Sequence, residues 1–297
     1  MNNYDFSAER RLAKMNPEYH TLAKNTAFVM VRILERYRNQ FSNYTDHSVL
    51  HSMHVLDFCE RLMADRVERL NADELYVLIM SCYLHDAGMG ITREDYERLF
   101  PIVVTEEYLE KHPNASTADT IRSFHQEFSA CFVRKFAPLL EIPSEEHIEA
   151  IAQVSRGHRK TDLFNSDEYP AELIMPSGNS VCLPYLACLI RLADGIDIAR
   201  DRMMISDYEN ENRSRIHYDS HYAISTMDFT EKKISFNVNP CTEEVYDFIR
   251  NEAADLQAVL DYCREVVTAR TKFEITQSEV EFVFHFRADS FGRHTER

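Results

Sequence analysis

Residues 75–90 read LYVLIMSCYLHDAGMG, an apolar run with no polar face that ends in His85 and Asp86 just before a glycine-rich stop. A helix hydrophobic all round belongs at the centre of a core rather than at its surface. A carboxylate at the end of such a helix is costly to bury unless it is paired or bound to a cation. The negative end of the helix dipole adds to that cost, because the last turn favours cations. This segment therefore demands two things: a bundle of other helices around it, and something positive beside Asp86.

The rest of the chain can supply the bundle. It has 297 residues, 44% of them hydrophobic, with six glycines and nine prolines, so helix should dominate. Helical periodicity runs from about residue 22 to 206, through TLAKNTAFVMVRILERYRNQF, DHSVLHSMHVLDFCERLMADRVERL, STADTIRSFHQEFSACFVRKFA, SEEHIEAIAQVSRGH and VCLPYLACLIRLADGIDIARD. The second of these is expected to be one helix opening at Thr45. Beyond the polar stretch 207–215 the period changes to two. KISFNVN and SEVEFVFHF alternate as half-buried strands, HYAISTMDF is a partner strand, and 243–268 form an amphipathic helix between them. The expected fold is mainly α: a helical domain over 1–206 followed by a small α+β unit over 207–297. So few strands cannot build their own core, and they should pack on the helices or on another subunit.

A net charge of -16 argues against a general nucleic-acid surface or an anionic membrane surface, though a local positive pocket remains compatible with it. The seven cysteines are odd in number, scattered and never in a CxxC pair, which suits reduced thiols in a cytoplasmic protein. The first residues lack the apolar core of a signal peptide, and no run approaches membrane-spanning length.

Histidine or aspartate interrupts an apolar face in four places. His47, His51 and His54 share one stripe of a helix. His85 and Asp86 close the apolar helix, and Asp194 lies in LIRLADGID. His125 and His158 continue apolar faces of two further helices. Taken singly each has an ordinary explanation. His85 and Asp86 could form a core ion pair with an arginine, Asp194 could pair with Arg191 or Arg202, and His125 and His158 could be satisfied core histidines.

Together, HSMHV, LHDAGM and RLADGID resemble the three signatures of the HD-domain superfamily of metal-dependent phosphohydrolases. The resemblance covers roughly residues 40–205 and selects His51, His85, Asp86 and Asp194 as metal ligands. RSFHQEFSA and QVSRGH are similar to the two extra histidines of the two-metal branch, which adds His125 and His158. Stand-alone bacterial HD proteins are the nearest likeness. Met89 stands where the cyclic-di-GMP phosphodiesterases carry lysine, and their GYP motif is missing, which argues against that substrate.

The resemblance implies one or two divalent ions. Histidine and carboxylate without thiolate suit Mn, Fe, Co, Ni, Zn or Mg and do not choose among them. It implies hydrolysis of a phosphomonoester or phosphodiester, with a small phosphorylated substrate, a nucleotide, as partner and a homo-oligomer as an option. The metal would lower the pKa of water and polarise the phosphoryl group. In that scheme Asp86 bridges the two ions, and Asp197 serves as a base or holds a ligand in place. Arg159, Lys160 and His47 contact substrate phosphate. Arg156 joins Arg159 and Lys160 in a phosphate clamp, unless these three are simply a solvated helix end. The same ligand set also serves HD-fold di-iron oxygenases, and a nucleotide-sensing module without turnover is a third reading.

Overall fold

In the computed structural model the described residues are 5–36, 48–101, 103–199, 215–240 and 242–285. Thr45, His47, Cys241 and Arg202 lie outside them. Eleven α-helices and two small sheets are described, so the fold is mainly α with a small C-terminal strand unit. In chain order the first helices are α1 (Ser7–Met15), α2 (Pro17–Leu34), α3 (Val49–Met63) and α4 (Ala72–Leu84). They are followed by α5 (Arg93–Leu99), α6 (Glu106–Lys111), α7 (Thr117–Phe136), α8 (Glu145–Arg156) and α9 (Leu183–Ile196).

The apolar run is α4, and it is buried throughout, from Asp73 to Leu84. A capping box starts it: the Asn71 side chain accepts from the Glu74 backbone N–H, while Glu74 accepts from the Asn71 N–H. Helices α1, α2, α3, α8 and α9 all pack against it. This is the arrangement that its continuous hydrophobicity requires. Ser116 and Ser144 cap α7 and α8 in the same way, their hydroxyls accepting N–H groups three residues on.

One expected helix is shorter than its periodicity suggests. Ala64, at φ 48°, ends α3, and residues Ala64–Arg69 continue as a 3₁₀ turn. A left-handed alanine carries no glycine signal in the sequence, and the apolar spacing of Met63 and Val67 runs on through the break. Between α8 and α9 the chain also forms a hairpin of two-residue strands, β1 (Leu173–Ile174) and β2 (Ser180–Val181), too short for any alternation to announce it.

The C-terminal part is α10 (Arg215–Ala223), β3 (Ile224–Phe229), β4 (Lys233–Val238), α11 (Glu243–Arg270) and β5 (Glu279–Phe284). The start of HYAISTMDF is thus the last turn of α10, and the strand begins at Ile224. Strand β4 pairs antiparallel with β3 and parallel with β5, after α11 has crossed between them. Ile234, Phe236 and Val238 point into the core, and Phe236 lies opposite Phe282 with ring centroids 4.5 Å apart. Helix α11 packs along α9, and Phe229 stacks on Phe58 of α3 at 5.9 Å. Ile224, Ile234, Phe236, Val238, Leu256 and Leu260 belong to the same hydrophobic core as α4 and α9. The small sheet is therefore built onto the helical bundle.

Five cysteines, at 59, 82, 182, 188 and 263, are buried and free, and Cys131 is half-buried and free. Among the described residues no helix is long and apolar enough to cross a membrane.

Candidate metal centre

Five segments converge at one end of α4. His51 comes from the first turn of α3, and His85 and Asp86 from the end of α4. His125 comes from the middle of α7, His158 from just past the end of α8, and Asp194 from the last turn of α9. His51, His85, Asp86, His125 and His158 are almost fully buried, while the Asp194 side chain is 15% exposed. These six residues form two groups, His51–His85–Asp194 and Asp86–His125–His158. Within each, one donor atom per residue lies within 4.8 Å of the others.

The hydrogen bonds at Nδ1 decide what the other ring nitrogens can do. His85 Nδ1 donates to the Cys82 carbonyl (2.9 Å), His125 Nδ1 to that of Arg122 (2.7 Å) and His158 Nδ1 to that of Ser155 (2.5 Å). His51 Nδ1 donates to Asp197 Oδ2 at 2.6 Å. Carbonyl and carboxylate oxygens only accept, so in neutral imidazoles the proton is on Nδ1 and Nε2 carries a lone pair. These lone pairs then face one another: His51 Nε2 is 3.3 Å from His85 Nε2, and His125 Nε2 is 2.9 Å from His158 Nε2. Two acceptors at that distance repel unless a cation lies between them. Around one ion with bonds of about 2.1 Å, two nitrogens would stand roughly 3 Å apart.

The carboxylates complete the arrangement. Asp194 Oδ1 is 3.2 Å from His51 Nε2. Asp86 Oδ2 is 3.6 Å from His51 and 3.5 Å from His85, while its Oδ1 is 3.6 Å from His125 and 3.7 Å from His158. Each oxygen of Asp86 thus faces one histidine pair. Burial pushes the His158 imidazole well below its ordinary value, helped by neighbouring His125 and His85. Burial lowers His125 too, against the opposing pull of Asp86. Both are neutral near pH 7, the form that ligates metal. Burial would raise Asp194, but the ring of His51, whose Nε2 lies 3.2 Å away, and the other imidazoles around it hold it below the usual carboxylate range. The donor set, its lone pairs directed inward beside two carboxylates, fits divalent cations bound by nitrogen and oxygen.

Of the other residues singled out by the sequence, Asp197 is fully buried and accepts from His51, and also from His54 Nδ1 at 3.3 Å. Those bonds orient the His51 ring. Arg159 is exposed, and its charge helps lower His125, which places it near the second group. Lys160 is exposed beside it. Arg156 is turned to other work: its guanidinium binds Glu127 at 2.8 Å and Glu168 at 2.6 Å, so its charge is already neutralised. His47 lies outside the described residues. Arg191 is not the partner of Asp194. It donates to the Gly157 carbonyl and to the Thr161 carbonyl, both at 2.8 Å.

Close packing fixes the two groups together. Gly88, just after Asp86, donates its N–H to Ser129 Oγ of α7 at 2.9 Å. A Cβ at position 88 would lie 2.2 Å from the His125 carbonyl oxygen, so only glycine allows the turn and α7 this approach.

A helical bundle that brings a buried His–Asp pair, flanking histidines and a late aspartate to one point is an HD-type domain. The family model described as HD-CE matches residues 41–272, and the chain belongs to that family. The match includes all six residues of the centre and extends through α11, stopping short of β5. No curated protein and no solved structure matches the chain.

Proposed function

We propose that the protein is a metal-dependent phosphohydrolase that cleaves a phosphate ester of a small substrate, a nucleotide, at a centre of two divalent ions. The observation that carries this reading is the convergence of four Nε2 lone pairs in two pairs, with one oxygen of Asp86 directed at each. His51, His85 and Asp194 would hold one ion and His125, His158 and Asp86 the other, with Asp86 shared. When bound, such ions activate water at neutral pH and polarise a phosphoryl group.

The chain's own residues do the remainder. Asp197 fixes the His51 ring and its tautomer, and the backbone carbonyls of Cys82, Arg122 and Ser155 do the same for His85, His125 and His158. The guanidinium of Arg159, near His125, favours an anionic substrate at a surface otherwise dominated by acidic residues. That cation is what favours phosphoryl chemistry over the oxygenase chemistry available to the same ligands. All six ligands fall within residues 1–206, and the unit over 207–297 contributes its packing along α9. The buried, free thiols suit a reducing compartment such as the cytoplasm.

The test is metal analysis of purified protein, followed by turnover on mono-, di-, tri- and cyclic nucleotides. About two ions per chain and metal-dependent release of phosphate or a cleaved diester are expected. Iron-dependent oxygen uptake with no ester cleaved would move the protein to the oxygenases. Nucleotide binding without turnover would make it a sensing module.

A further inference from the structure

In a chain with 49 acidic and 33 basic residues, a cation in a fixed position normally finds a carboxylate. Arg11, Lys24, Arg134 and Arg156 all do. Among the described residues Arg159, Lys160 and Arg191 form no ion pair. Lys160 and Arg191 line one pocket of about 480 Å³, with Thr161, Asp162, Ala258, Val259 and Tyr262 forming the rest of its wall. The pocket lies where the segment after α8 meets α9 and α11.

This wall is rigid. Arg191 ties the Gly157 and Thr161 carbonyls and the Thr161 hydroxyl (3.0 Å), and its guanidinium lies over the Tyr262 ring at 5.1 Å. The Tyr262 hydroxyl accepts the Leu163 N–H at 2.8 Å, and Tyr169 donates its hydroxyl to Thr161 Oγ1 at 3.0 Å. Arg270 donates to the Leu163 and Tyr169 carbonyls. Every one of these bonds holds backbone or a neutral group, so Arg191 has no carboxylate partner, and the acid of the wall, Asp162, accepts instead from the Phe164 N–H at 2.9 Å and the Tyr262 hydroxyl at 3.5 Å. A held, unpaired guanidinium beside a free ammonium is a preformed anion site, because its ordering cost is met before the ligand arrives.

The pocket also adjoins the metal centre through the chain. Gly157, held by Arg191, directly precedes His158, and Arg191 is three residues before Asp194 on α9, so the two lie on neighbouring faces. Arg159, whose charge reaches His125, stands between His158 and Lys160. Unpaired cations thus lead from one ligand group to the pocket. We infer that this pocket binds a second phosphate of the substrate, remote from the one being cleaved, so that the preferred substrates carry at least two phosphate groups. The inference rests on the phosphohydrolase reading for the fate of the first phosphate, while the pocket itself can be tested without turnover.

The experiment is calorimetric titration of the metal-loaded protein with adenosine 5′-monophosphate and with adenosine 3′,5′-bisphosphate. The bisphosphate is expected to bind at least tenfold more tightly. Lys160→Glu and, independently, Ala258→Glu each place a carboxylate in the pocket from an exposed position. Each should reduce that preference to less than twofold, with metal content and circular dichroism unchanged. Equal affinities in the wild type, a preference that survives both substitutions, or no binding of either nucleotide overturns the inference. If the preference appears and falls as expected while no ester is ever cleaved, the pocket stands and the hydrolase reading fails.

Discussion

At the start of α4, Asp73 is buried against His147. At the other end of the same helix, Asp86 is buried against four histidines. Both clusters use the same residue types in the same core, and the difference between them lies in where the protons go. His147 Nε2 donates to Asp73 Oδ1 at 2.9 Å, and its Nδ1 accepts from the Ser144 hydroxyl at 2.9 Å. Asp73 Oδ2 accepts from Ser177 and Asn179, both at 2.7 Å. Each polar atom there has a protein partner, so the cluster is closed and needs nothing from outside. Around Asp86 the Nδ1 protons are spent on helix carbonyls and on Asp197, and the Nε2 atoms are left facing each other. The two clusters of buried histidine therefore differ in what the second nitrogen faces rather than in burial.

Substitution of the two central acids and their partners separates the clusters most sharply. Asp86→Ala is expected to abolish metal binding and turnover, since each of its oxygens faces one histidine pair. His147→Ala should leave metal content at the wild-type level and cost about 3 kcal/mol of stability, by stranding Asp73 without its principal donor. Plasma emission spectrometry and urea denaturation read the two effects. Loss of metal in His147→Ala would erase the distinction.

A smaller effect is expected one layer out. Asp197→Asn should weaken one ion of the pair by about 10–100-fold, because His51 loses the carboxylate that orients it. The other ion, on the group containing Asp86, should hold its affinity in a chelator competition. The matching change in the closed cluster, Ser144→Ala, removes the donor to His147 and the cap of α8. It should cost about 1 kcal/mol with no change in either ion.

The smallest effect is confined to acid. Burial would raise Asp73, but the hydrogen bonds from His147, Asn179 and Ser177 outweigh it and lower the carboxyl from 3.8 to about 2. A carboxyl lowered by folding stabilises the protein above its unfolded value, and that contribution is lost as pH falls through the folded one. Urea midpoints of the wild type should therefore decline between about pH 4 and pH 2, and Asp73→Asn should flatten that limb. An unchanged limb in the variant would mean that other carboxyls carry it.

What the sequence could disclose follows from the same contrast. The place of α4 was legible, because an apolar run without a polar face has only one environment open to it. The strands around Ile234, Phe236 and Val238 were legible through alternation. The six residues of the candidate centre stood out only together, through their order and their resemblance to a family. His147 in SEEHIEA interrupts an apolar face much as His125 does in RSFHQEF, and periodicity cannot tell them apart. The partners of Asp73 were hidden because Ser177 and Asn179 arrive on a hairpin with strands of two residues. Arg191 illustrates the same limit. Its nearest acid in sequence is Asp194, yet it reaches carbonyls at Gly157 and Thr161, a pairing set by how α8 meets α9.

The two groups of the candidate centre are nested along the chain. Asp86, His125 and His158 all precede Asp194, whereas His51 and Asp194 bracket every other member. During synthesis a chain that has emerged as far as His158 holds one complete group and two-thirds of the other. The outer set waits for α9, the helix on which α11 later packs. Entropy of loop closure grows with the length enclosed, so the inner set also closes at the lower cost. Order of assembly is thus written into the topology: the inner group can form first, and Asp194 completes the outer one last.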